Sequence, residues 1–186
     1  DKLHLSLTFF APTRRAYDLD NALARKSDVI RIYYPPDANC LLSVFDHCLR
    51  SRNYVNVVTC GKDFQLQWLT MDEANRHCSR GASTWQFASN DDGEPDVVLA
   101  CAGDVPTIET CAASWLLQKH LPGIKVRVVN VVNLGTLMNP ALHPHGMDNL
   151  AFEELFTESA PVIFAYHGYT WAIHSMVHGR ANEARF

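Results

Sequence analysis

Two histidines flanking one proline, His143-Pro144-His145-Gly146, are the residues of this sequence best able to do chemistry, because imidazoles ligate metals and titrate near neutrality. A catalytic zinc site would need a third protein ligand and a supporting shell. The chain has neither an HExxH motif nor a Cys-x-x-Cys pair to supply them. The two rings are therefore expected to cap backbone groups in a loop or to reach a neighbouring domain. Lys62, directly after Gly61, follows a valine-rich run and so falls at the C-terminal edge of a sheet, where open α/β folds bind ligands. Its ammonium suits a phosphate, although an isolated lysine at a strand end is more often plain surface charge, and the residues alone leave this undecided. The stretch from Ala102 to Thr107 joins a strand to a helix start whose free N–H groups can receive an anion. It lacks the G-x-G-x-x-G fingerprint and carries Asp104, which repels anions, so a structural turn is the plainer reading. Arg14 and Arg15 read as solvated surface.

The elements that must position these residues are legible from hydropathy. From Asp28 onward β-branched runs alternate with helical patterns, the signature of a parallel sheet with crossover helices. Val29 to Tyr34 predicts a strand, and Pro35-Pro36-Asp37 leads into a helix whose apolar face is Leu41, Val44, Phe45, Cys48 and Leu49. Asn53 breaks it, and Tyr54 to Cys60 predicts the next strand. Residues 63–95 read as an interdomain connection with a short helix around Trp68, Met71 and Ala74. Trp68, Trp85 and Phe87 leave open an ordered excursion packed on a neighbour.

A second block predicts strands at Val97 to Ala102, Val126 to Val132 and Pro161 to Tyr166. Between the first two lies a helix with Ile108, Cys111, Ala112, Trp115 and Leu116 on one face. A short helix from Asp148 to Phe156 turns Phe152, Leu155 and Phe156 inward, and a last one, Trp171 to Val177, packs Ile173, Met176 and Val177 before a polar tail. The expected fold is α/β: a three-layer, mostly parallel sheet that looks truncated, preceded by a β-α-β unit.

With 47% hydrophobic and 19% charged residues the chain reads as globular, and no window approaches the roughly 18 apolar residues of a membrane helix. A net charge of −4 gives no electrostatic reason to bind nucleic acid. Six cysteines placed singly read as reduced thiols of a cytoplasmic protein.

Taken together, "DVIRIYYPPDANCLLSVFDHCLRSRNYVNVV", "EPDVVLACAGDVPTIETCAASWLLQKHLPGIKVRVVNVVNL", "HPHG" and "PVIFAYHGYTWAIH" closely resemble phosphoketolases. These are thiamine-diphosphate enzymes that split D-xylulose 5-phosphate or D-fructose 6-phosphate with inorganic phosphate to give acetyl phosphate. The resemblance implies that residues 27–62 are the last β-α-β of a pyrimidine-binding domain and residues 96–186 a transketolase-like C-terminal domain. It implies that Lys62 contributes to the sugar-phosphate site, although the family's glutamine and proline after it are Asp63 and Phe64 here. Thiamine diphosphate and Mg²⁺ would be held, in the full-length enzyme, by segments not found in this sequence. The chain alone is thus expected to bind no cofactor, supply no catalytic residue and be inactive.

Sugar phosphate and phosphate are the implied small partners, and homo-oligomerisation through the α/β domains is expected. A non-catalytic association or effector-binding module is the alternative. Residues 1–26 resemble instead a phage-type Holliday junction resolvase, with Asp18 and Asp20 at its Mg²⁺-binding positions, which would make a nuclease fragment the third reading.

Overall fold

The computed structural model describes the backbone of residues 6–10 and residues 29–61 and 64–186 in full. Arg14, Arg15, Asp18, Asp20, Lys62 and Asp63 lie outside the described residues.

The first sheet is parallel, in the order β1 (Ser6–Phe10), β3 (Val55–Thr59), β2 (Ile30–Tyr33). Helix α1 (Ala38–Arg50) makes the crossover from β2 to β3. It starts where the Asp37 side chain accepts from the Cys40 N–H, and the chain turns after it at Asn53, whose φ is 63°. Its buried stripe is Cys40, Val44 and Cys48, whereas Leu49, predicted to face inward, is 55% exposed. The stripe meets helix α2 (Met71–Arg80), and small side chains let the two helices approach: the Cys78 thiol lies 3.7 Å from the Cys40 carbonyl.

Helix α2 is longer than the sequence pattern predicted. Thr70 and Glu73 form a reciprocal capping box, and Gly81 ends the helix in the left-handed region at φ 79°. The chain then enters β4 (Ala82–Thr84), the antiparallel edge of the second sheet, which runs β4-β6-β5-β7. Strands β5 (Val97–Cys101), β6 (Val126–Val131) and β7 (Val162–Ala165) are parallel, as the valine runs predicted. Period-two alternation buries both faces. Val98, Ala100, Val129, Val131 and Val162 face a core with Phe152, Phe156, Ile173 and Met176, while Leu99, Val126 and Val128 face Trp85. Trp85 in turn packs on Trp68 and Phe87, at centroid distances of 5.7 and 5.2 Å, so this segment is ordered against the sheet.

Helix α3 (Asp104–His120) packs on β5, β6 and β7, but not through the predicted face. It buries Pro106, Thr107, Thr110 and Ser114, and leaves Trp115 59% and Leu116 47% exposed. The inward positions need short side chains that hydrogen-bond at close approach: the Ser114 hydroxyl donates to the Ala88 carbonyl at 2.6 Å. Helices α4 (Asn149–Phe156, capped by Asp148) and α5 (Thr170–Val177) bury the predicted Phe152, Phe156, Ile173, Met176 and Val177.

The tail predicted as polar is instead docked. Arg180 is buried and donates to the carbonyls of Leu137, Met138 and Met147, and Phe186 stacks on Phe152.

The two sheets share a seam. Tyr34 N–H donates to the Val132 carbonyl at 2.7 Å, and Tyr33 and Asn133 form an antiparallel bridge. One hydrophobic cluster runs through both, from Ile30, Ile32 and Val57 to Val129 and Val131. Among the described residues no helix is long and apolar enough to cross a membrane.

Candidate functional site

The C-terminal edge of β3 is tied to the start of α3. Gly61 N–H donates to Asp104 Oδ2 at 2.6 Å, and the other carboxylate oxygen accepts from Val105 N–H at 2.8 Å. Asp104 is buried, and a Cβ on Gly61 would collide with its carboxylate, so the approach requires glycine. The helix start is thereby filled by its own carboxylate, and the stretch from Ala102 to Thr107 is a structural turn. Burial, with the Asp104 carboxylate adding to it, pushes the nearby Cys60 thiol up. Lys62, the sequence-predicted phosphate ligand, lies outside the described residues; its neighbour Gly61 is held in place by this contact.

The histidine pair lies on the loop that follows the 3₁₀ turn Leu134–Leu137, and its tautomers are fixed by the hydrogen bonds. Asn133 Oδ1 accepts from Gly135 N–H at 3.0 Å, so its amide nitrogen donates to His145 Nδ1 at 2.9 Å. His145 therefore carries its proton on Nε2. The His145 backbone N–H donates to His143 Nδ1 at 3.0 Å, which leaves His143 Nε2–H to approach the Ile30 carbonyl on β2 at 3.4 Å. Gly135 makes room for the His143 ring, which a Cβ there would strike.

Burial, then repulsion from the Arg31 guanidinium and from His143 and His47, pulls the His145 pKa down to about 4. Burial also lowers that of His143. Burial favours the neutral form of both rings; His143 caps backbone and reaches β2, while the His145 ring is held by the Asn133 side chain. No three His, Cys, Asp or Glu side chains converge as a metal site among the described residues.

Two polar hubs escaped the sequence reading. Asp37, besides capping α1, accepts through Oδ2 from Gln67 Nε2 and from the backbone of Trp68 and Leu69 at 2.7, 3.0 and 2.9 Å. His77 lies between Ser83 Oγ at 2.7 Å and Asn130 Oδ1 at 2.8 Å, while the Asn130 amide donates to Thr107 Oγ1 at 2.9 Å. This chain of bonds fixes His77 as the neutral Nε2–H form, and burial lowers its pKa. A Pro-Asp pair before a helix announces the cap, but nothing local announces partners some 30 residues away.

Thiamine diphosphate with Mg²⁺ does not fit the described residues. The buried carboxylates that a hard cation would need are already engaged: Asp37 and Asp104 by backbone N–H groups, and Asp91 by Arg127 at 2.7 Å.

A parallel sheet covered on both faces, with one antiparallel edge and a β-α-β unit joined along a seam, is the architecture of the transketolase C-terminal type. The fold superposes on the transketolase from Leishmania mexicana with a TM-score of 0.64 at 13% identity, covering 86% of this chain and 21% of that one. It also superposes on "Split gene transketolase, inactive beta4 tetramer" with a TM-score of 0.60 at 14% identity, covering 92% of this chain and 52% of that one. The family model for the XFP C-terminal domain matches residues 62–186, and that for D-xylulose 5-phosphate/D-fructose 6-phosphate phosphoketolase matches residues 17–51. The chain belongs to the phosphoketolase family. It is 58% identical over 165 residues to the "Probable phosphoketolase" of Rhodopseudomonas palustris (strain HaA2), covering 89% of this chain and 21% of that protein. The curated relatives it matches are thus about five times as long as the aligned stretch.

Proposed function

We propose that this chain is the C-terminal part of a thiamine-diphosphate-dependent phosphoketolase, the lyase that cleaves xylulose 5-phosphate or fructose 6-phosphate with phosphate to give acetyl phosphate. Its contribution is the substrate-facing edge carrying Lys62, and these 186 residues alone turn nothing over. The observation that carries the reading is the 58% identity along 89% of the chain. Thiamine diphosphate would supply the carbanion chemistry, and the protein's task is to place and activate it. In this chain the Asp104 contact fixes the backbone next to Lys62. Six free thiols support a reducing compartment, the cytoplasm.

The test is a hydroxamate assay for acetyl phosphate on the purified chain with thiamine diphosphate, Mg²⁺, phosphate and xylulose 5-phosphate. No product is expected, and turnover abolished by omitting the cofactor would overturn the claim of inactivity. In a full-length relative, substitution of the lysine aligned with Lys62 by Gln is expected to raise KM for the sugar phosphate. An unchanged KM would remove Lys62 from the site.

The exposed Val105, Trp115 and Leu116 on α3 favour a second reading, association with another copy of the same chain. The split-gene neighbour, a tetramer described as inactive, supports that kind of role. Sedimentation of the chain is expected to show an oligomer that Trp115→Ser with Leu116→Ser dissociates. A monomeric parent chain would end this reading.

A further inference from the structure

Helices α1 and α2 meet through a pair of cysteines 38 positions apart in the chain. Cys40, in the first turn of α1, is fully buried, and Cys78, in the last turn of α2, is half-buried with its thiol 3.7 Å from the Cys40 carbonyl. The two thiols are also within hydrogen-bonding reach of each other. The helices belong to different blocks. Helix α1 is the crossover of the first sheet, whereas α2 runs into β4, the edge of the second.

Three observations set this pair apart from small residues that merely let two helices approach. The first is access. Cys78 lies on the wall of a cavity of about 530 Å³ between α1, α2 and the loop after β6, a wall it shares with Tyr33, Ser43, Asn75 and His145. Cys40 lies behind it, so a small solute entering the cavity meets Cys78 first. The second is ionisation. As a thiol Cys78 donates to the Cys40 carbonyl; as a thiolate it accepts from the Cys40 thiol and the Ser43 hydroxyl, and these bonds lower its pKa against the effect of burial. Burial pushes the thiols of Cys48, Cys60, Cys101 and Cys111 up, and the bond given to Cys78 does the same to Cys40. The third is a resolving partner: an oxidised Cys78 has the Cys40 thiol in contact before a second oxidant arrives.

We propose that Cys40 and Cys78 form a reversible redox staple, closed to a disulfide by a hydroperoxide and reopened by a small thiol reductant, that ties α1 covalently to α2. The Cys78 thiolate takes one oxygen as the peroxide O–O bond breaks, giving a sulfenic acid and, with one proton, an alcohol or water. The Cys40 sulfur then attacks the sulfenic sulfur; the S–S bond forms, the S–O bond breaks, and hydroxide leaves as water with the Cys40 proton. The two thiols lose two electrons in all, and the peroxide gains them. Reopening converts two reductant thiols to their disulfide. Closed, the bond joins the two blocks at a junction that in the reduced protein rests on the Asp37 contacts and the seam between the sheets. The staple is independent of the reading that gives Lys62 a sugar phosphate.

The test is brief exposure of the folded 186-residue chain to hydrogen peroxide, a catalase quench, blocking of the remaining thiols with N-ethylmaleimide in denaturant, and tryptic mass spectrometry without reduction. Cys40 and Cys48 share the tryptic peptide 32–50, so the mapping is repeated in Cys48→Ala, where Cys40 is the only thiol of that peptide. In both chains a cross-link to the peptide 77–80 is expected, and dithiothreitol should remove it. In Cys40→Ala, dimedone should label Cys78 as a sulfenic acid, whereas in Cys78→Ala it should leave Cys40 unlabelled. Closing a loop of this length should raise the Tm of the oxidised parent by roughly 5–12 °C, a rise that dithiothreitol or Cys40→Ala abolishes. Absence of the cross-link in the folded parent, or its loss in Cys48→Ala, would overturn the proposal. So would a cross-link that forms only in denaturant, one that leaves Tm unchanged, or the lack of a dimedone adduct on Cys78 in Cys40→Ala.

Discussion

Replacing Asp37 by asparagine changes one atom of a side chain that serves two elements at once. Oδ1 caps α1 through the Cys40 N–H at 2.8 Å, and Oδ2 accepts from the Trp68 and Leu69 backbone and from Gln67. Asparagine caps helices as well as aspartate does, so a residue that only capped α1 would tolerate the change within a few tenths of a kcal/mol. Here the new amide NH₂ must face either the Cys40 N–H or the N–H groups of residues 68 and 69, donor against donor. Each backbone N–H left without an acceptor costs about 1–3 kcal/mol. Because Trp68 and Leu69 are only half-buried and water can recover part of that, the expected loss is about 2–3 kcal/mol, or roughly 6–10 °C in Tm for a domain of this size. Urea unfolding followed by tryptophan fluorescence measures the loss, and Trp68 and Trp85 report the affected segment directly. Amide exchange at Trp68 and Leu69 should accelerate in the variant. A midpoint shift worth less than about 0.5 kcal/mol with unchanged exchange would refute the hub and leave Asp37 an ordinary cap.

The neutral histidines make the fold acid-sensitive. His77, His143 and His145 have folded pKa values below the ordinary 6.5, so protons bind preferentially to the unfolded chain; the stability they provide is complete above about pH 6.5 and drains as pH falls towards 4. After discounting for partial exposure, His145 alone should account for about 1–2 kcal/mol between pH 7 and 4.5. His145→Gln should flatten the urea-midpoint profile over that window, and a parallel profile would disprove its part. The buried Arg127–Asp91 pair predicts a third result: Arg127→Ala should cost about 3–5 kcal/mol by urea unfolding, since it strands a carboxylate in the interior. Adding Asp91→Ala should restore part of the loss, and simple additivity of the two would count against a coupled pair.

The parallel strands β5 and β6 were legible because a strand buried on both faces must be apolar at nearly every position, as Val97 to Cys101 and Val126 to Val131 are. The cap at Asp148 was legible because a cap's signal is local, whereas Asp37 was read only as a charge complementing the helix start and proves to be the cap itself. The capping box from Thr70 to Glu73 carries an equally local signal, but the turn-rich residues after it obscured the helix it starts. Strand β4 has three residues, Ala, Ser and Thr, too few to show alternation. The face of α3 was misjudged because size was taken as the mark of burial, whereas close approach to the sheet selects Thr107, Thr110 and Ser114 and sends Trp115 outward. At the candidate site, position and charge singled out Lys62 but left it open between ligand and surface charge, and only the resemblance gave it a role. The Asp104 bond to Gly61 spans 43 positions and the cavity joins Tyr33 to His145; such pairings are properties of the folded chain that no window of sequence displays.

The seam from Tyr34 to Val132 means that neither half of the molecule finishes its own edge. Exchanging either half for that of a relative would transplant a surface shaped for a particular neighbour. Chimaeras cut between the two blocks should therefore succeed only when the donor brings matching residues on both sides of the joint.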